Sequence, residues 1–150
     1  MQKRYIPKSL YRQFSASMPI CCVDLIIWHK GKILLLKRKN YPAKNKWWTP
    51  GGRVMKGERL KEAAMRIAQQ ELALQVKILR QVGTYEAFFR KGYFGNSCHC
   101  IGIVFLAIPI SEEIKIKLDS QSLAHKWASA LPKHLLRYFV EQPEAIKIRH

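Results

Sequence analysis

The stretch that most constrains this chain is a proline and glycine joint running into a helical repeat, Pro50-Gly51-Gly52-Arg53-Val54-Met55-Lys56-Gly57-Glu58 followed by residues 59–74. Within that run Leu60, Ala64, Ile67, Glu71 and Leu74 recur at three- and four-residue steps, which predicts a helix with one apolar stripe. Glu71 falls on the stripe. An unpaired charged carboxylate against a core is costly, so Glu71 calls for a cation, either a basic side chain or a metal ion. The glycines before the helix permit backbone geometry closed to other residues, and peptide groups at such a joint can contact a phosphate or a metal. The same residues also suit a surface turn and an ordinary helix with an Arg66–Glu71 ion pair, and the pattern alone leaves both open.

The rest of the chain supplies walls for this piece. Residues 8–17 form a short helix with Leu10, Tyr11 and Phe14 on one side, ended by Pro19. Residues 19–28 read as a strand whose near-continuous apolarity implies burial on both faces, with Asp24 the exception. His29-Lys30-Gly31-Lys32 is a hairpin turn, and residues 33–36 return. Arg38 follows at the strand end, where a guanidinium near the glycine joint suits bidentate contact with a diphosphate. Trp47 and Trp48 anchor a loop over residues 40–48. Residues 76–91 and 98–110 are strands, joined by a turn-rich loop at residues 92–97 that can line a pocket, and His99 is a satisfied strand histidine. Ile114, Ile116 and Leu118 alternate with lysines as in a half-exposed strand or its approach, and residues 131–140 close the chain as a sheet-covering helix with Leu131, Leu135, Leu136, Phe139 and Val140 on one face.

The spacing from Gly52 to Glu58, Arg66 and Glu71 resembles the Nudix box, a loop-helix-loop of hydrolases that act on nucleoside diphosphates linked to another group. Its end here reads Arg66-Ile67-Ala68-Gln69-Gln70-Glu71-Leu72-Ala73-Leu74, without two of the three clustered glutamates and without the closing glycine. The branch that shares these departures is the GDP-mannose mannosyl hydrolases, which the chain resembles from about Pro19 through Trp127, most closely at Asn40-Tyr41-Pro42-Ala43, Trp47, Pro50-Gly51-Gly52-Arg53-Val54 and Ala73-Leu74.

That resemblance implies an α/β fold, a Nudix-type α/β/α sandwich with a mixed sheet, in agreement with the element order. It implies magnesium-dependent release of a nucleoside diphosphate, GDP in the first instance, from a nucleotide sugar, with Mn2+ as an alternative ion. Glu71, the Gly51 carbonyl and Gln121 would hold the metal, Arg38 and Arg53 the diphosphate, and Asp24 the sugar, while Glu58 and Arg66 brace one another. Glu62, four residues before Arg66, offers an equally good surface partner for it. The position after Gln121 is Ser122, where the branch has the histidine that acts as general base; a serine hydroxyl is not a base near neutral pH. His125 is the nearest imidazole and the candidate replacement. In the similar hydrolases the N-terminal segment contributes to a dimer contact, which makes a homodimer the expected assembly.

Composition bounds these expectations. The 150 residues suit a single domain, 1–150, and no apolar run reaches the length of a membrane span. The basic start Met1-Gln2-Lys3-Arg4-Tyr5 is followed by no long apolar segment with a small-residue cleavage site, so the expected location is cytoplasmic, with no membrane partner. With 27 Lys and Arg against 10 Asp and Glu, the chain attracts anions of any kind. Its basic residues are dispersed as on a solvated surface, so nucleic acid is permitted as a partner without being indicated. A conventional Nudix pyrophosphohydrolase and a non-catalytic binder of nucleotide or nucleic acid are the other function classes left open. Cys21-Cys22 and Cys98-X-Cys100 lack zinc-site spacing and are expected as buried free thiols.

Overall fold

The computed structural model describes residues 6–139, with the side chains of residues 137–139 outside that description. The expectations for Phe139, Val140 and the basic tail fall outside it as well. The elements in order are α1 (Lys8–Ser17), β1 (Ile20–His29), β2 (Lys32–Arg38), β3 (Trp47–Trp48), β4 (Gly51–Arg53), α2 (Leu60–Leu72), β5 (Val76–Phe89), β6 (Cys98–Pro109), β7 (Ser122–Ala128) and α3 (Lys133–Phe139). Among the described residues no helix is long and apolar enough to cross a membrane.

The sheet is mixed. β1 runs parallel to β6 from Ile20 opposite Cys100 to Ile27 opposite Ala107. β5 lies antiparallel on the far side of β6. The other flank of β1 is divided: β4 pairs with Cys22, Val23 and Asp24, while β2 pairs with Trp28 and His29 and carries β3 and β7. This division opens the sheet between β4 and β2. The β1–β2 turn is the two-residue Lys30-Gly31 loop, both at positive φ, the conformation whose twist matches its strands.

Alternation along the central strands distributes two cores. Val23, Leu25 and Ile27 join Ala63, Ala64, Ile67, Ala68 and Leu72 of α2 on one face. Ile26, Val104 and Leu106 join Trp48, Leu131 and Leu135 on the other, under α3. Helices therefore cover both faces, and Val23 to Ile27 are buried on each side as their sequence implies. The terminal helix begins at Lys133, two residues later than residue 131, and Leu136 faces outward. The four cysteines are free, but Cys21 is exposed and the other three are only partly buried, because they lie near strand ends beyond the packed layers.

Residues 112–118 are not a paired strand. Their backbone bonds go to the C-terminus of α2 instead, Lys117 N–H to the Leu72 carbonyl at 3.0 Å and Asp119 N–H to the Glu71 carbonyl at 3.2 Å. Ile114, Ile116 and Leu118 still pack against the core, so their alternation reports half-burial of an extended chain and carries no information on what it bonds to. Conversely, residues 122–128, which carried no strand signal, form β7 against β2.

α2 ends where the Nudix pattern has its closing glycine. Ala73 takes the left-handed conformation there, φ 52°, and its N–H reaches the Gln69 carbonyl at 3.0 Å while Leu74 N–H reaches that of Ala68 at 3.3 Å. A Cβ is unfavourable in this region, so Ala73→Gly should raise unfolding stability by about 0.5–1 kcal/mol, the relief of backbone strain exceeding the added entropy of the unfolded glycine. Urea unfolding with an unchanged slope and a higher midpoint is the expected result.

Candidate active site

The gap between β4 and β2 is the mouth of an open cleft of about 350 Å³. Arg38, Gly51, Arg53, Asp24 and Gln121 all line it, so five of the residues singled out in the sequence meet in one place. Its aromatic wall comes from Tyr11 on α1, Tyr85 and Phe89 on β5, and Tyr93 and Phe94 in the loop before β6. Glu71 does not line the cleft. It sits on the last turn of α2 behind Gly51, whose N–H hydrogen-bonds its carboxyl, and it feels the charges of Asp119, Arg38 and Asp24.

The brace beneath this floor is formed as expected. Arg66 Nε donates to Glu58 Oε1 at 2.5 Å and Nη2 to Glu58 Oε2 at 3.0 Å, and these bonds to the guanidinium hold the half-buried Glu58 carboxyl below its ordinary range. Met55 N–H also donates to Glu58 Oε2, which pins the joint to the helix. A further Arg66 bond, Nη2 to the Arg53 carbonyl at 2.9 Å, fixes β4. Neither alternative pairing occurs: Arg66 points to the joint instead of down the helix to Glu71, and Glu62 accepts the Arg59 N–H at the start of α2.

Asp24 lies at the cleft floor, only 4% exposed. The Tyr85 hydroxyl donates to its Oδ2 at 2.5 Å. This hydroxyl crosses β6 at Gly102, directly opposite Tyr85 in register, where any side chain would occupy the space of the Tyr85 ring. Gly51, opposite Asp24 on β4, is equally constrained, since a Cβ there would drive into the carboxyl. Burial pushes Asp24 up to about 6 from its ordinary 3.8, against the lowering effects of the Tyr85 bond and the Arg38 charge. Tyr85 is itself raised, by burial and by the neighbouring carboxylate.

A raised folded-state pKa has a definite sign. Asp24's contribution to stability is fully present below pH 3.8 and is lost as pH rises to about 6, a swing of about 3 kcal/mol. Urea midpoints of the wild type should therefore fall relative to Asp24→Asn between pH 4 and 6, with a constant difference above that window. A parallel pair of curves would mean that Asp24 titrates normally.

Glu71 is pushed up to about 8, first by burial and then by the Asp119 charge, with Arg38 and the Gly51 N–H opposing. A carboxyl hemmed in by two further carboxylates is one whose ionised form a cation would stabilise. Among the described residues no three or more His, Cys, Asp or Glu converge as a metal-ligand group. Glu71 with the Asp119 charge beside it offers hard carboxylate oxygens of the kind magnesium takes, since that ion keeps several waters and uses few carboxylates beside substrate phosphates. Gln121 Oε1 accepts from Asn40 Nδ2 at 2.7 Å and retains a second lone pair.

Arg38, at the end of β2, donates from Nε to the Pro42 carbonyl at 2.6 Å, so the loop sets the angle of its guanidinium. His125 is not brought to the cleft. It is exposed on β7 opposite Leu36, while Ser122, opposite Arg38, lies nearer the mouth. Asp119, Tyr85 and Tyr11 were missed as site residues. Asp119 depends on the unpaired 112–118 segment reaching α2, and Tyr85 on the β5–β6 register; only the pairing of an aromatic with a strand glycine hinted at the latter.

A sandwich whose glycine joint, charged helix and internal Arg–Glu brace stand under a cleft in a split sheet has the architecture of a Nudix domain. A NUDIX domain family model matches residues 20–139, and the chain belongs to that family. It is 42% identical over 84 residues to the low-salt glycan biosynthesis protein Agl8 of Haloferax volcanii, an overlap of 56% of this chain and 54% of that protein. It is 37% identical over 115 residues to the ADP-ribose pyrophosphatase of Methanocaldococcus jannaschii, an overlap of 77% and 66%. The chain thus spans between half and two thirds of the length of these relatives. Among solved structures, the MutT NUDIX hydrolase of Burkholderia pseudomallei matches with a TM-score of 0.70 at 26% identity, over 85% of this chain and 99% of that one.

Proposed function

We propose that the chain is a magnesium-dependent hydrolase of a nucleoside diphosphate sugar, of the GDP-mannose or GDP-glucose kind, releasing the nucleoside diphosphate and the sugar. The observation that carries this reading is the meeting of Arg38 and Arg53 with the buried carboxyl of Asp24 in one aromatic-walled cleft. Two guanidiniums suit a diphosphate, a carboxyl suits sugar hydroxyls, and ring faces suit a base. The volume matches a pocket for a small nucleotide derivative. Similarity to a protein named for glycan biosynthesis favours a sugar-linked substrate.

In this reading the hard step is departure of the charged diphosphate. Arg38 and Arg53 stabilise charge as it grows on the leaving oxygens, and their pre-set positions make that stabilisation available without reorganisation. Glu71, the Gly51 carbonyl and Gln121 would hold the divalent ion, which would supply further charge neutralisation there. Glu58 and Arg66 keep the joint in place. Thinning of the glutamates on α2 favours attack of water on the sugar carbon over attack on phosphorus. His125 remains a candidate base only if β7 shifts toward the cleft, and a His125→Ala variant with full activity would end that candidacy. A homodimer involving α1 belongs to the same reading and is open to light scattering.

A second reading, cleavage at phosphorus as in a pyrophosphohydrolase, is favoured by the similarity to the ADP-ribose pyrophosphatase. Hydrolysis of GDP-sugars, UDP-sugars and ADP-ribose with magnesium in oxygen-18 water separates the two. Label in the released sugar is the expected outcome. Label in the nucleotide or sugar phosphate would replace the first reading by the second.

A further inference from the structure

We propose that Tyr11 is a positioning residue that holds the Arg53 guanidinium in its diphosphate-binding orientation, and that α1 is thereby part of the anion-binding apparatus. The proposal rests on the assignment of Arg53 to the diphosphate made above.

Arg53 is held from two sides. Its backbone carbonyl accepts Arg66 Nη2 from below, at 2.9 Å. Its guanidinium lies over the Tyr11 ring, 5.0 Å from the centroid. That ring is in turn oriented edge-on by Phe94, at a centroid distance of 5.7 Å and an interplanar angle of 64°, and Phe94 is set by Tyr93 at 5.0 Å and 89°. Tyr11 comes from α1 and Phe94 from the loop before β6, so the guanidinium is backed by a chain of rings drawn from two separate elements of the aromatic wall. No Asp or Glu forms an ion pair with Arg53 among the described residues, which leaves its charge available to an anion.

α1 has no buried residue, so ordinary core packing does not explain its position. Tyr11, Phe14 and Ser15 are its partly buried residues, and the Tyr11 ring is the one that ties the helix to Arg53 and Phe94. A cation over a ring keeps its N–H edge free, so the same guanidinium can stack on Tyr11 and donate in its own plane to two phosphate oxygens. Without the ring, Arg53 would sample many rotamers, and each binding event would have to order it.

The test is a double-variant comparison with magnesium present, reading Kd for pyrophosphate and for GDP by calorimetry, with KM and kcat on whichever nucleotide sugar is turned over. Tyr11→Leu should weaken both ligands equally, by about five- to tenfold, and raise KM by a similar factor, since a cation and ring contact of this kind supports an effect of that order. Tyr11→Phe should restore wild-type affinity because it keeps the ring. In an Arg53→Ala background Tyr11→Leu should have no further effect on pyrophosphate.

Loss of GDP affinity with pyrophosphate unaffected would overturn the proposal and make Tyr11 a platform for the base. An undiminished effect of Tyr11→Leu in the Arg53→Ala background would overturn it in favour of a general disturbance of α1. If Arg53→Ala alone bound pyrophosphate as tightly as the wild type, the assignment of Arg53 to the diphosphate would fail first, and the role of Tyr11 with it.

Discussion

If Glu71 holds the divalent ion as proposed, Glu71→Gln should lower kcat for hydrolysis of the proposed nucleotide-sugar substrate by about a hundred- to a thousandfold, because it removes the carboxylate charge while conserving shape and the Gly51 hydrogen bond. Its effect on stability should have the opposite sign. Burial and the Asp119 charge push the Glu71 carboxyl up to about 8 from 4.5. The stability it contributes is therefore fully present below pH 4.5 and is lost as pH rises through about 8, so at neutral pH the wild type carries a penalty that the amide lacks. Tm in metal-free buffer should rise in Glu71→Gln. Adding magnesium should raise Tm of the wild type and leave the variant unmoved, since an ion that binds only the native state stabilises it by mass action. An inactive protein that is more stable than its parent cannot be explained by misfolding. Activity within threefold of wild type would instead remove Glu71 from the metal site.

The second large effect is expected at Gly102→Val. Any side chain at residue 102 would occupy the space of the Tyr85 ring, which crosses β6 there to reach Asp24. Expelling the ring both disrupts packing in the core cluster of Val104 and Val82 and removes the Tyr85 donor from a buried carboxyl, a combined loss of about 2–4 kcal/mol. Tyr85→Phe serves as the comparison, because it deletes only the hydroxyl and should cost about 1–3 kcal/mol. If the two variants unfold at the same urea concentration, the glycine serves no steric purpose and the hydrogen bond accounts for the whole effect. On the proposed role of Asp24 toward the sugar, hydrolysis should fall in both, since each removes the Tyr85 bond that holds its carboxyl at the cleft floor.

Much of the site was legible in the sequence because it is built on local pattern. The helical stripe announced both α2 and the misplaced carboxylate on it, and the glycines of the joint announced a backbone held close to something else. Glu58 and Arg66 were legible as partners only through the resemblance: two residues eight apart are not neighbours by helical periodicity, and the joint must fold back for them to meet. The Arg66–Glu71 pair that the pattern also allowed lost to this arrangement because Arg66 satisfies four acceptors across the joint and helix, two Glu58 oxygens, the Arg53 carbonyl and Gln70, at 2.5–3.0 Å.

Other features lay beyond local reasoning. Residues 112–118 show the alternation of a strand, yet their N–H groups satisfy the open carbonyls at the end of α2, and this long-range choice is what delivers Asp119 to Glu71. Residues 122–128 show no such alternation, yet β2 offers them an unpaired edge and they become β7. That pairing holds His125 opposite Leu36 and away from the cleft, against its selection as the nearest imidazole in the chain.

What the sequence by itself determined is therefore the set of elements with strong periodicity, the two buried faces of β1, the glycine joint and the charged types needed for anion and metal chemistry, all of which follow from side-chain spacing and backbone freedom. The tertiary structure alone decided which carboxylates crowd Glu71, that Tyr85 passes over Gly102 to Asp24, and that Tyr11 on a helix without a buried residue stacks against Arg53. Each of these depends on strand register or on contacts between residues more than forty positions apart, and no local pattern encodes the distance between such groups.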